Sequence, residues 1–151
     1  MQAVACPYGH LGPTYEPYCR ICGTAIEDPR PFLAVRPPLG LLRLSTGDVV
    51  PLDRGVIMGR NPRAVDDTDA GRPHLVRLPS PDNDVSRTHV EVRLEDWHVL
   101  VVDLGSTNGT TVTIPGQAPI RVRAHEPMPL EPNAEVNLAD EIVFRYEVPI
   151  A

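Results

Sequence analysis

Hydrophobic and polar positions alternate in short bursts along most of this chain. Val90, Val92 and Leu94 fall on one face of an extended segment, with Glu91, Arg93 and Glu95 on the other. Ile142, Phe144 and Tyr146 repeat the rhythm near the C-terminus. A period of two marks a strand with one buried face. The runs of this kind are Leu39–Ser45, Val49–Leu52, Val56–Gly59, Leu75–Leu78, His89–Leu94, Val99–Leu104, Thr110–Ile114, Ile120–Arg123, Val136–Leu138 and Glu141–Val148. Gly, Pro, Asn and Asp separate them, and no helical stripe of useful length interrupts the series. Short strands at such regular spacing predict an all-β sandwich or barrel. The 18 prolines sit mostly between runs, where no ladder hydrogen bond is lost.

The pattern divides the chain into three zones. Residues 1–26 hold every cysteine together with Gly9, Gly12 and Gly23. Residues 27–38 (EDPRPFLAVRPP) are Pro-rich and charged, and read as a stiff linker. Residues 39–149 carry the strand series. Composition changes this picture little: 42% hydrophobic and 23% charged residues suit a packed core. The net charge of −6 argues against nucleic acid as the main ligand, because binding a phosphate backbone needs a basic footprint. All 14 basic residues are Arg, so every side-chain cation except histidine is a flat, multi-donor fork suited to phosphate. No apolar stretch approaches the length of a membrane span, and the first ten residues lack the features of a secretory signal. A cytoplasmic location is the expectation, because three clustered cysteines do not read as a disulfide framework.

Cys6, His10, Cys19 and Cys22 form the pattern C-x3-H-x8-C-x2-C. Three thiolates and one imidazole are a common closed ligand set for structural Zn2+, which takes four ligands tetrahedrally. The two-residue spacing between Cys19 and Cys22 lets a tight turn aim both sulfurs at one ion, with Gly23 freeing the bend that follows. A segment this short cannot build a core, so the metal would supply its folding free energy. The stretch resembles the short zinc ribbons of bacterial multidomain proteins, though their first arm is often C-x2-C, which singles out His10 as a departure. The alternative is three free thiols in an unstructured tail. Four protein ligands leave no open position for catalysis.

Three polar segments sit at turns between buried strands: Gly59-Arg60-Asn61, Val85-Ser86-Arg87-Thr88-His89, and Asp103 through Thr110 (DLGSTNGT). Loops on a rigid scaffold are where binding groups concentrate. Arg60, Arg87 and the Ser86 hydroxyl are the groups a phosphate monoester wants, since it carries about −1.5 to −2 charge and three acceptor oxygens. Thr107 and Asn108 offer short polar side chains to a ligand backbone. Asn108-Gly109 is the strongest hairpin signal in the chain.

The ordered set of Gly-Arg, Ser-x-x-His and Thr-Asn-Gly resembles the forkhead-associated (FHA) family, with VSRTHVEV and VVDLGSTNGT close to that family's signature. The resemblance runs from Leu39 to Glu147. It implies a β-sandwich of about eleven strands that binds phosphothreonine peptides through loops at one end. Arg60 and Ser86 would then grip the phosphate and Arg87 would add charge. Thr107 would line the place of the threonine methyl, and Asn108 would hydrogen-bond the peptide backbone. Gly59, His89 and Gly109 would support the loops. The implied partner is a phosphothreonine-containing protein, a Ser/Thr kinase or its substrate, in bacterial kinase signalling. Two departures stand out. The 25-residue segment between Arg60 and Ser86 is long for the family and carries the acidic stretch VDDTDAGRPH, and TIPGQAP replaces a common Asn-Gly in the next hairpin.

Other readings compete. Asp66, Asp67 and Asp69 read as a solvated loop, or as flanks of Thr68, a residue that on phosphorylation would fold back into the site. Ser86, His89 and Asp103 are the residue types of a hydrolase triad, but Ser86 lies in no G-x-S-x-G elbow. An FHA-like scaffold without phosphate dependence is a second alternative. Nucleic-acid binding by the ribbon is a third, set against by its single Arg20 and the acids that follow.

Overall fold

The computed structural model describes residues 1–64 and 72–149, so Asp66, Asp67, Thr68 and Asp69 lie outside the described residues. The strands of the expected series form two stacked sheets. The first has six strands: β4 (Leu41–Leu44), β5 (Val49–Pro51), β10 (Thr110–Thr113), β11 (Ile120–Arg121), β13 (Glu135–Leu138) and β14 (Ile142–Glu147), in the order β11-β10-β13-β14-β4-β5. The second has five: β6 (Val56–Gly59), β7 (His74–Arg77), β8 (Val90–Glu95), β9 (His98–Asp103) and β12 (Met128–Pro129), in the order β12-β9-β8-β6-β7. Every described strand pairing is antiparallel except β6 with β7.

The alternation does the work expected of it. Val90 and Val92 of β8 are fully buried while Glu91 and Arg93, which alternate with them, are only half-buried. Ile142, Phe144 and Tyr146 are buried on β14. These side chains join Leu42, Leu44, Met58, Val101, Val112, Val136 and Leu138 in one continuous core between the sheets. Tyr146 also anchors the entry to the sandwich, its hydroxyl donating to the Leu39 carbonyl at 2.8 Å.

Two features had no signal in the hydrophobic pattern. β12 has only two residues, one of them Pro129, and pairs along β9 at a sheet edge. The N-terminal zone forms its own three-stranded sheet, with β1 (Gln2–Ala5) between β2 (Leu11–Gly12) and β3 (Phe32–Leu33). β3 therefore lies inside the Pro-rich stretch, and Ala34 N–H continues its contact with the Met1 carbonyl at 2.9 Å.

The Asn108-Gly109 expectation needs correction. The strands on either side of it, β9 and β10, belong to different sheets, so the pair does not close a hairpin. Gly109 does take a positive φ of 91°, but Asn108 does not, and a type I′ turn requires both. The loop instead carries the chain from one layer of the sandwich to the other.

β8 and β9 run the depth of their sheet. Met58, Val90 and Asp103 stand side by side at one end, and Glu95 faces His98 at the other. The turn at Asp96-Trp97 is thus the far end of the sandwich from the polar loops. Its contacts are with the N-terminal zone. Tyr15 stacks on His98 with ring centroids 6.1 Å apart, and its hydroxyl lies 3.0 Å from His98 Nε2. The Arg20 guanidinium sits 5.2 Å from the Trp97 ring, and Arg36 donates to the Asp96 carbonyl at 2.6 Å.

Candidate functional site

Gly59, the last residue of β6, has room for nothing larger. A Cβ on this residue would lie 1.9 Å from the Arg87 carbonyl oxygen and 2.8 Å from that of Ser86. This close approach lets the two loops zip together. Arg60 N–H donates to the Ser86 carbonyl at 3.1 Å, and Asn61 N–H donates to that of Arg87 at 3.0 Å. Arg60 is half-buried, and its Nε donates to the Val85 carbonyl. Arg77 on β7 donates from its own Nε to the Arg60 carbonyl at 3.0 Å. The Arg60 side chain is thereby oriented through one nitrogen, and its two terminal nitrogens bond to no described residue.

His89 ties this pair of loops to the third. It is fully buried, and its Nδ1 accepts the Ser86 N–H at 3.0 Å. Its Nε2 therefore carries the proton, which it donates to the Gly109 carbonyl at 2.9 Å. Burial lowers its pKa below the ordinary 6.5, against the opposing pull of the Gly109 carbonyl and the Asp103 charge. The imidazole is thus a neutral strut between two loops.

Asp103, buried at the end of β9, folds the third loop around itself. One carboxylate oxygen accepts the backbone N–H groups of Gly105 and Ser106 at 2.9 and 2.8 Å. The other accepts the hydroxyls of Ser106 and Thr110 at 2.5 and 2.6 Å. Burial works to raise its pKa, but these hydrogen bonds outweigh burial and hold it below the ordinary 3.8. This role was missed in the sequence. The signal for it was an acid followed two and three residues later by Gly and Ser, the pattern of a side chain that caps its own turn.

Fixed in this way, the third loop meets the second directly. Ser86 Oγ accepts the Thr107 N–H at 3.1 Å, and Asn108 Nδ2 donates to the Asp84 carbonyl at 2.8 Å. Arg60, Ser86, Thr107 and Asn108 are accordingly gathered at one rim, with Thr107 and Asn108 exposed to solvent. Arg87 stands exposed beside Ser86, joined to the site through its backbone carbonyl alone. Gly109, buried beneath the turn, and Gly59 and His89 form the supports.

The hydrolase arrangement is not assembled. Ser86 Oγ bonds to Thr107, His89 Nδ1 is occupied by a backbone amide, and both Asp103 oxygens are committed to its own loop.

At the N-terminus the ligand atoms of Cys6, His10, Cys19 and Cys22 all lie within 4.8 Å of one another. Cys6 Sγ is 3.4 Å from His10 Nδ1 and 3.9 Å from Cys22 Sγ, and Cys19 Sγ is 3.7 Å from His10 Nδ1. A tetrahedral zinc with Zn–S near 2.3 Å requires S···S edges of about 3.8 Å, so the donor set and its spacing fit the ion. The backbone is shaped for this purpose. Ile21 and Cys22 direct their N–H groups at Cys19 Sγ at 3.3 and 3.4 Å, partly offsetting the burial that pushes this thiol's pKa up. Gly9 and Gly23 take positive φ values of 89° and 75° just before His10 and just after Cys22. A hydrogen bond with the Thr24 hydroxyl brings the Cys22 thiol down to about 6. No helix among the described residues is long and apolar enough to cross a membrane.

A family model for the FHA domain matches residues 56–139. Among solved structures, the chain is similar to the FhaA FHA domain, at 30% identity over 71% of this chain and 98% of that one, with a TM-score of 0.48. It is also similar to the FHA domain of the CT664 protein from Chlamydia trachomatis, at 27% identity over 74% of this chain and 97% of that one, with a TM-score of 0.50. The FHA domain of human APLF superposes at a TM-score of 0.55 with 19% identity, over 73% of this chain and 99% of that one. No protein of curated function matches the sequence.

Proposed function

The chain belongs to the FHA domain family, and from that premise we propose that it is a phosphothreonine-dependent adaptor rather than an enzyme. The observation that carries this reading is the meeting of Arg60, Ser86, Thr107 and Asn108 at one rim, locked by His89 and Asp103 before any ligand arrives. The Arg60 guanidinium and the Ser86 hydroxyl take the phosphate oxygens, and Arg87 supplies a second charge from the open side. Thr107 lines the seat of the threonine methyl. Asn108, whose Nδ2 is held by Asp84, presents its Oδ1 to a peptide N–H. Charge-assisted hydrogen bonds contribute about 1.5–3 kcal/mol each, enough for two or three of them to make binding depend on phosphorylation.

The partner is a phosphothreonine-containing protein of Ser/Thr-kinase signalling, and the setting is cytoplasmic. Residues 39–149 form the binding domain and 1–26 a ribbon in which Cys6, His10, Cys19 and Cys22 hold a structural Zn2+, while the connecting segment 27–38 also lends the strand Phe32–Leu33 to the ribbon's sheet. The metal supplies folding free energy there and no chemistry.

Calorimetry with paired phosphothreonine and unphosphorylated peptides tests the reading. Wild type is expected to bind only the phosphorylated member, and Arg60→Ala to lose at least tenfold in affinity while keeping its fold. Equal affinity for both peptides would show instead a scaffold indifferent to phosphate.

A further inference from the structure

On the other side of the Thr107-Asn108 turn lies a cleft of about 410 Å3, lined by Asp103, Ser106, Gly109, Arg121, Arg123 and Ala124 among others. Its basic groups come from β11 and the segment after it, which the sequence signature does not include. The Arg121 guanidinium lies flat against Gly109. A Cβ on that glycine would sit 2.8 Å from an Arg121 terminal nitrogen and 2.9 Å from its Cζ. The His125 ring approaches Gly105 in the same manner, with Nε2 3.2 Å from where a Cβ would stand. Arg123 is exposed between them.

Arg30, Arg43, Arg93 and Arg145 each form an ion pair with a neighbouring carboxylate. The side chains of Arg121 and Arg123 form no ion pair or hydrogen bond with any described residue. The one carboxylate lining the cleft, Asp103, has both oxygens committed to four donors of its own loop. Its charge is met by two backbone amides and two hydroxyls and forms no bond to either guanidinium. Two Arg forks therefore face an open cleft in a chain whose net charge is −6.

We propose that this cleft is a second anion subsite, which takes an acidic side chain of the same peptide whose phosphothreonine is held at Arg60 and Ser86. The proposal rests on the phosphothreonine reading and adds to it a preference in the partner. The ligand is a carboxylate or a second phosphate monoester, bound by the paired donors of Arg121 and the exposed charge of Arg123. The two subsites share one wall. Thr107 and Gly109 are two Cα steps apart, at most about 7.6 Å, which an extended peptide spans in two to three residues. A partner carrying phosphothreonine with an acid two to four positions away would reach both.

Fluorescence anisotropy with a peptide series tests this. Each peptide carries phosphothreonine, and Glu, phosphoserine or Gln is walked through the positions two to four residues before and after it. Wild type is expected to bind the best acidic peptide about tenfold more tightly than its Gln counterpart, with the difference shrinking in high salt. The phosphoserine and Glu arms tell which anion the cleft prefers. Arg123→Gln, which removes an exposed side chain, is expected to cut the difference severalfold. Arg121→Gln with Arg123→Gln is expected to abolish it, while affinity for the Gln peptide stays within twofold. No gain at any position, or a gain that survives the double substitution, overturns the proposal.

Backbone amide shifts of Gly109, Val122 and Ala124 provide a readout independent of the first subsite. An acidic peptide lacking phosphothreonine is expected to move them at millimolar concentration. If wild type fails to bind any phosphothreonine peptide yet these amides move, the adaptor reading fails and the anion cleft stands. If phosphothreonine binds but neither amides nor affinities respond to the second acid, only the cleft is overturned.

Discussion

His89 joins the Ser86 and Gly109 loops by accepting at one ring nitrogen and donating at the other, so it can do this only when neutral. Its folded-state pKa is depressed by burial, whereas in the unfolded chain it returns to the ordinary 6.5. Its contribution is therefore complete above pH 6.5 and is lost as the pH falls through the lower folded value. Asp103 has the same sign over a more acidic range. Its carboxylate is stabilised in the fold, and that stabilisation declines below its ordinary 3.8. Urea melts across pH 7 to 3 are expected to fall in two stages, the first absent in His89→Gln and the second reduced in Asp103→Asn, with Asp53 supplying part of what remains. A flat profile for wild type would contradict both assignments. Gly59 belongs to the same scale. With the Arg87 carbonyl 1.9 Å from a prospective Cβ, Gly59→Ala must push the two loops apart. A loss of about 3 kcal/mol, at the upper end for overpacking, is expected in the same melts, together with loss of peptide binding.

At the scale of elements, the residues that alternated were legible and those that did not were hidden. Val90, Val92, Ile142, Phe144 and Tyr146 announced β8 and β14 because a period of two survives in any context where one face is buried. Met128-Pro129 announced nothing, since two residues cannot show a period. The rim residues Arg60, Ser86, Thr107 and Asn108 were legible through their motif, but the devices that hold them were not. Val85 and Asp84 act through backbone carbonyls, and any residue type provides one of those. Asn108-Gly109 misled because its glycine answers two needs at once, a positive φ and a flat seat for Arg121. Arg121 itself comes from β11, a two-residue strand with no motif, which is why its cleft was invisible before the sheets were assembled.

The N-terminal sheet owes its shape to very few residues. Its three strands are two to four residues long, too little to bury a core. Chelation of the full-length protein is expected to release about one zinc per chain and to disorder this zone alone, leaving the sandwich melt in place. The chain has a single Trp, and the Arg20 guanidinium lies against it. Trp97 emission is therefore expected to change on metal removal. Cys19→Ser should reproduce the change, and an emission spectrum indifferent to the chelator would count against the zinc assignment.

Seen as a whole, the molecule keeps its polar rim and its cysteine-bearing N-terminal zone at opposite ends of the sandwich. β8 and β9, six residues each and so about 20 Å long, separate the phosphate rim from the Trp97 turn on which the ribbon rests. Filling the rim should leave Trp97 emission untouched, and peptide affinity should survive chelation. A body built this way leaves the far pole uncovered when a phosphopeptide fills the rim, so reading a phosphorylation mark does not mask the surface around Trp97.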